Sequence, residues 1–198
     1  MIGYYLTHPQ VQIDPAIPVP DWSLSAIGRQ RIVQALERPW LKTIRRIVSS
    51  EERKAVETAE IIGSVLGIPV EALPFMGEND RSSTGFLPPE QFEAAADQFF
   101  AHPTQSWNGW ETAADAQARI VEAVGHMLVD HPDDKPLLFV GHGAVGTLLK
   151  CRIADRSISR TEDQPAGGGN VFAFRLHERK LLRDWTPVER FEGADLAG

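Results

Sequence analysis

Two histidines of this chain stand where an apolar run gives way to a turn. His8 follows Tyr4-Tyr5-Leu6-Thr7 and precedes Pro9, and His142 lies between Gly141 and Gly143 after Leu137-Leu138-Phe139-Val140. A third apolar run, Ile44 to Val48, ends at Ser49-Ser50 and leads into Arg53-Lys54. If the three runs are neighbouring parallel strands, two imidazoles, a hydroxyl and one or two cations meet at one sheet edge. One imidazole can serve as a nucleophile. The other, with the cations and the free amides of a helix N-terminus, can stabilise charge on a transferring group. That set of groups fits a phosphoryl group.

Such a set needs a scaffold that brings distant strand ends together. Apolar runs of strand length alternate here with segments of helical spacing. The strand candidates are Tyr4–Thr7, Ile44–Ser49, Ile68–Leu73 and Pro136–Val140, with Val171–Leu176 and Lys180–Trp185 as a closing hairpin. Helical spacing is seen in Leu24–Leu36, in Glu51–Gly67, from about Thr112 to Asp130, and after Gly143. Ser49 with Glu52 predicts a capping box, and Gly67 predicts a helix end. This alternation predicts an α/β fold whose sheet is covered on both faces. Ligands then bind outside the carboxyl ends of the strands, where both histidines fall.

Bulk properties narrow the function. A formal charge of −7 over 198 residues speaks against a nucleic-acid or anionic-membrane binder. The chain contains no apolar run of membrane-spanning length and no secretory signal pattern, so a cytoplasmic protein is expected. Cys151 is the sole cysteine, which leaves no disulfide framework. The six histidines show no metal-ligand spacing, so no metal site is expected. Gly141–Gly146 reads G-x-G-x-x-G, but the acidic strand end that a dinucleotide site needs does not follow.

Taken in order, the N-terminal strand and His8, the stretch SSEERKAVETAEIIGSVLGIPV, the acidic loop FMGENDRSSTGF and the segment LLFVGHGAVGTLL resemble the histidine phosphatase superfamily, the phosphoglycerate-mutase-like fold. The resemblance spans nearly the whole chain. It implies one domain over 1–198, a three-layer α/β/α sandwich with a mainly parallel sheet, and an insertion at about 74–111 covering the site. It implies no metal or organic cofactor and a small phosphorylated substrate or phosphate-like anion as partner. By position, His8 would be the nucleophile that becomes phosphohistidine, His142 the second pocket histidine, and Glu78 the general acid, with Asp80 as its rival. Substrate contacts would come from Thr7, Ser50, Arg53, Lys54, Arg81 and Gly143.

The chain departs from the family pattern at the cations. Thr7-His8-Pro9 stands where the family has Arg-His-Gly, and Lys54 stands where the family has its second arginine. Lysine keeps the charge but lacks the planar fork that grips two phosphate oxygens. Arg81 and Arg53 are the candidates to replace what is missing. Two readings follow: a phosphatase working through phosphohistidine, or a weak or inactive pseudoenzyme of the same fold that binds or regulates. Phe86, Trp107 and Trp110 are expected to pack the insertion rather than line its mouth. Oligomeric state has no signature in the sequence.

Overall fold

Strand β1 (Gly3–Thr7) and strand β4 (Leu137–Gly141) are buried at every position. Continuous burial of this kind marks central strands covered on both faces. The computed structural model, which describes residues 1–129, 131, 135–175 and 177–194, places them side by side and parallel, with Thr7 opposite Gly141. Strand β2 (Arg46–Ser50) pairs in parallel with β4 on its other edge, and β3 (Val70–Leu73) pairs in parallel with β2. Strands β5 (Asn170–Arg175) and β6 (Lys180–Pro187) form the hairpin, with β5 antiparallel to β1. The sheet order is β3-β2-β4-β1-β5-β6, so the sheet is mixed and mainly parallel.

Side chains alternate across each strand and split the core in two. Tyr4, Leu6, Ile47, Leu138 and Val140 face one layer, which contains α1 (Ala26–Ala35) and α2 (Arg53–Leu66). Tyr5, Val48, Phe139 and Phe172 face the other, which contains α3 (Pro89–Ala101), α4 (Ala113–Val129) and α5 (Gly143–Ile153). Helix α4 turns Ala116, Ile120, Ala123 and Val124 inward at three- and four-residue spacing. A fully buried Ile or Val side chain contributes about 1.5–3 kcal/mol, so this stripe fixes the rotation of α4 and the outward aim of its polar residues.

Two local expectations need correction or a boundary. The capping box does not form. Ser49 and Ser50 remain in β2, paired with β4 and β3, and the helix starts only at Arg53 with Glu52 as its N-cap. The Ser50 hydroxyl accepts from the Glu52 amide, and the Glu52 side chain caps nothing. Gly67 ends α2 as expected, in a left-handed conformation at φ 68° that a Cβ would oppose. The expected helix end at Asp130, strand residue Leu176 and domain residues 195–198 lie outside the described residues.

The region 74–111 contains a turn at Pro74–Met76, an irregular stretch and α3. Proline at the first position of α3 starts that helix where an amide partner is not needed. Trp110 is buried against Phe92, Phe99 and Trp107, and its indole N–H donates to the Thr84 hydroxyl. Phe86 packs on Trp22.

Candidate active site

Parallel pairing of β1 with β4 carries both histidines to the same sheet edge. The His8 amide donates to the Gly141 carbonyl at 2.9 Å, and the two imidazole centroids lie 5.2 Å apart. His8 Nδ1 lies 2.8 Å from the Pro9 carbonyl oxygen. A carbonyl only accepts, so Nδ1 carries the proton and Nε2 keeps its lone pair. A glycine turn holds this backbone. The Gly169 amide donates to the His8 carbonyl, and a Cβ on Gly168, at φ 63°, would come within 2.3 Å of the same oxygen. Arg31 reaches in from α1 and donates to the carbonyls of Gly167, Gly168 and Gly169.

His142 is fully buried. Its Nε2 lies 2.8 Å from the Ser50 hydroxyl and 3.3 Å from Glu52 Oε1, while Nδ1 has no partner among the described residues. Tyr5 clamps its main chain. The phenol accepts from the His142 amide at 3.1 Å and donates to the His142 carbonyl at 3.3 Å. The glycines around His142 make room for neighbours: a Cβ on Gly141 or Gly146 would come within 2.3 or 2.4 Å of Tyr5, and one on Gly143 within 2.4 Å of Gln164 Nε2. The G-x-G-x-x-G spacing therefore answers to packing inside this chain.

Both imidazoles are held neutral. Burial, and then the Lys54 charge, lower His8 to about 4. Burial is also the leading cause that carries His142 well below its ordinary value, against the pull of Glu52.

Glu78 reaches the start of α5. Its two carboxyl oxygens accept from the Ala144 and Val145 amides at 3.2 and 3.1 Å. Burial raises its carboxyl above the ordinary range, against the lowering effect of Arg81 and the two amides, with Glu52 adding to the rise. Asp80 is exposed instead, and it accepts from the Ser82 amide, which lowers its carboxyl. Arg119 on α4 fixes this loop by donating to the carbonyls of Phe75, Gly77 and Glu78, while Glu111 grips the same guanidinium.

The cations are arranged differently from the sequence expectation. Lys54 is 3% exposed and donates to the Val19 carbonyl, and its ammonium also pairs closely with Glu52. Arg53 points outward, 58% exposed, and pairs with Glu57 one turn on, so it is not brought to the histidines. Arg81 sits 4.9 Å above the Phe92 ring and, with His8, Glu78, Gly143 and Gln164, lines a cavity of about 490 Å³. The Thr7 hydroxyl is buried: it donates to Gln164 Oε1 at 2.7 Å and accepts from the Asn170 amide at 3.0 Å. The hydroxyl also lies 3.3 Å from the Asn170 carbonyl oxygen, and none of these bonds is directed at the imidazoles.

The profile of the histidine phosphatase superfamily (branch 1) matches residues 13–183, which is most of the chain. The chain belongs to that superfamily. The match begins past His8, so the place of His8 rests on the strand geometry above. A glucosyl-3-phosphoglycerate phosphatase of Mycobacterium tuberculosis is 26% identical over 183 residues, covering 87% of this chain and 79% of the relative. Two solved structures agree in fold. The Bacillus stearothermophilus protein YhfR superposes with a TM-score of 0.78 at 21% identity, covering 94% of this chain and 98% of its own. An Entamoeba histolytica phosphoserine phosphatase in complex with 3-phosphoglyceric acid gives 0.77 at 14% identity, with 96% and 99% covered.

Four residues of this histidine phosphatase superfamily chain take part in the site without having been expected there: Glu52, Gln164, Arg119 and Arg31. Arg119 had a faint signal, since it sits at the edge of the apolar stripe of α4, between Ala116 and Ala123. Glu52 had the wrong one, because it reads as a helix cap. Arg31 and Gln164 had none, since Arg31 bonds the glycine carbonyls and Glu189 and Gln164 bonds Thr7 and Asn170, partners that lie far apart in sequence or carry no spacing pattern. No helix among the described residues is long and apolar enough to cross a membrane, and no group of His, Cys, Asp and Glu among them is placed to hold a metal.

Proposed function

We propose that this chain is a phosphatase that removes the phosphoryl group from a small phosphorylated metabolite through a phosphohistidine at His8. The observation that carries the reading is the His8 tautomer: Nδ1–H is tied to the Pro9 carbonyl, so the Nε2 lone pair is available beside His142 and in the same cavity as Glu78. A neutral imidazole is the nucleophilic form, and the lowering of His8 to about 4 keeps it neutral across physiological pH.

In the first step Nε2 forms a bond to phosphorus as the bond from phosphorus to the ester oxygen breaks. Glu78, whose carboxyl burial raises above its ordinary range, gives a proton to that leaving oxygen. In the second step water attacks phosphorus, the N–P bond breaks, and Glu78 takes back a proton from the water. His142 lends Nε2–H, Gly143 opens the amide end of α5, and Arg81 supplies a cation at the cavity wall. The relatives act in their own settings on a glucosylated phosphoglycerate and on phosphoserine, both phosphomonoesters of small metabolites, in keeping with a cavity of this size.

The test is phosphate incorporation from a labelled aryl phosphate. Wild type is expected to trap an acid-labile phosphate, and His8→Ala to trap none and to lose at least about a thousandfold in kcat. His102→Ala, altered at the exposed end of α3, is the control that keeps the label. Equal labelling of the two variants, or no labelling and no turnover of any phosphomonoester by folded wild type, removes the reading in favour of a binding protein of the same fold.

A further inference from the structure

We propose that Glu52 is an internal anion seated among the donors a phosphoryl group would use, and that it sets the selectivity of this site against phosphate dianions. The proposal rests on the phosphatase reading for its enzymatic consequence, but not for its binding test.

The Glu52 carboxylate turns toward charged and polar neighbours inside the protein. It pairs with the Lys54 ammonium, its Oε1 lies 3.3 Å from His142 Nε2, and the same oxygen accepts from the Glu78 amide at 2.9 Å. An ammonium and a backbone amide donate to this one group, with the His142 imidazole, which bonds the Ser50 hydroxyl, close beside it, and such donors are what a phosphoryl oxygen requires. Here a side chain of the protein meets them. Burial alone would raise the Glu52 carboxyl, but charge on His142, the Lys54 ammonium and the Glu78 amide lower it below its ordinary range. With His142 neutral at working pH, the Lys54 ammonium and the amide are the neighbours that favour the carboxylate.

The position is not forced by the helix. Glu52 is the N-cap of α2, where its side chain is free to bond the first amides, and it does not. It turns inward, 84% of its side chain covered on the 16% exposure it retains. Glu52 does not line the His8 cavity but stands in the wall of a second one, of about 650 Å³ and bounded by Pro15–Pro20, Asp80 and Phe86, which shares Glu78 and Arg81 with the first. The carboxylate therefore has open space to enter if a substrate displaces it. Displacement would free Lys54 and the Glu78 amide together, which couples phosphoryl binding to the loop that carries Glu78.

A dianion that leaves Glu52 in place meets a like charge within the same donor set, and one that expels it must break a buried ion pair. Either way inorganic phosphate binds more weakly than the donors alone would allow. A substrate with less negative charge near phosphorus is penalised less.

The experiment measures binding of inorganic phosphate and orthovanadate by calorimetry, together with kcat/KM on an aryl phosphate, for wild type, Glu52→Gln and Glu52→Asp. Glutamine keeps an acceptor for Lys54 and removes the charge. It is expected to tighten phosphate binding by about tenfold or more. Aspartate keeps the charge, withdraws it by one methylene, and is expected to gain less. Should Glu52→Gln fail to fold, a phosphate affinity of Glu52→Asp equal to or below that of wild type overturns the proposal. So does unchanged affinity in folded Glu52→Gln. Tighter phosphate without any turnover in either protein upholds the proposal and removes the phosphatase reading. Vigorous turnover that Glu52→Gln leaves unchanged in KM upholds the phosphatase and removes the proposal.

Discussion

At the ends of β1 and β4 the backbone decides where the chemistry lies, whereas at the start of α2 the side chains decide it. Thr7 pairs with Gly141 across a parallel ladder, and the next residue on each strand is a histidine. No side-chain preference is needed to bring the rings to 5.2 Å. At α2 the backbone offers Glu52, Arg53 and Lys54 in succession, and successive helix positions point about 100° apart. Arg53 then goes to solvent with Glu57, while Glu52 and Lys54 turn inward to each other. The ladder fixes a position before any side chain is chosen. The helix start only offers positions, and charge pairing selects among them.

The largest effect that sharpens this contrast comes from breaking the inward pair. Lys54 is 3% exposed, and its loss leaves Glu52 ionised with no cation in contact. Removing one member of a buried pair costs about 3–5 kcal/mol, far more than an exposed pair is worth. Lys54→Ala is expected to lower the urea midpoint accordingly, and Glu52→Leu with Lys54→Met to recover most of the loss. A Lys54→Ala protein as stable as wild type would mean that Glu52 readily leaves the site, and that charge pairing does not select its position.

The strand-end side makes its own prediction, in pH. His8 falls to about 4 and His142 is lowered as well, so the native state declines protons that the unfolded chain takes up below about 6.5. Stability is therefore whole above 6.5 and drains away as pH falls toward 4. Glu78 works in the opposite sense. Its raised carboxyl favours folding below its ordinary value of 4.5, and that contribution is lost as pH rises through its folded value. The histidines dominate between pH 7.5 and 5. The melting temperature is expected to fall by several degrees over that range, and less in His8→Asn. A flat profile would show that the ladder delivers the rings without burying them.

The same contrast explains what was legible in the sequence. Strand ends, the alternation of strand and helix, and the approach of His8 to His142 follow from periodicity and from parallel pairing, which are local or nearly local rules. Glu52 was misread because a start of α2 shifted to Arg53 turns a third-position cap partner into the N-cap itself, with a different direction for its side chain. By position Thr7 is expected to offer its hydroxyl to the substrate where the family places an arginine. Its hydroxyl is instead spent on Gln164 and Asn170, partners more than 150 residues away that no spacing rule connects to it. Arg31 and Arg119 bind backbone carbonyls as well as a carboxylate each, and the carbonyls carry no residue signature, so that only the place of Arg119 beside the apolar stripe of α4 hinted at its role. Charge direction in this site depends on long-range partners, whereas strand register depends on the pattern of the strand.

The smallest effect is the one expected at Arg53, and its smallness is informative. Arg53 is adjacent in sequence to Lys54 and carries the same charge, so by composition alone either is a fit replacement for a phosphate-gripping arginine. Its guanidinium donates to Glu57 at 2.9 Å with 58% of the side chain exposed. An exposed pair four residues apart on a helix contributes about 0.3–0.5 kcal/mol and is screened by salt. Glu57 keeps a second arginine, Arg29 at 2.6 Å, so it is not left alone when Arg53 is removed. Arg53→Ala is therefore expected to lower the unfolding free energy by less than about 0.5 kcal/mol and kcat/KM by less than about twofold. The measurement is made at low and at high salt beside Lys54→Ala. A loss of activity tenfold or greater at Arg53, persisting in high salt, would mean that α2 turns its first residue toward the phosphoryl group when substrate is bound. The inward and outward roles assigned to Arg53 and Lys54 would then have to be exchanged.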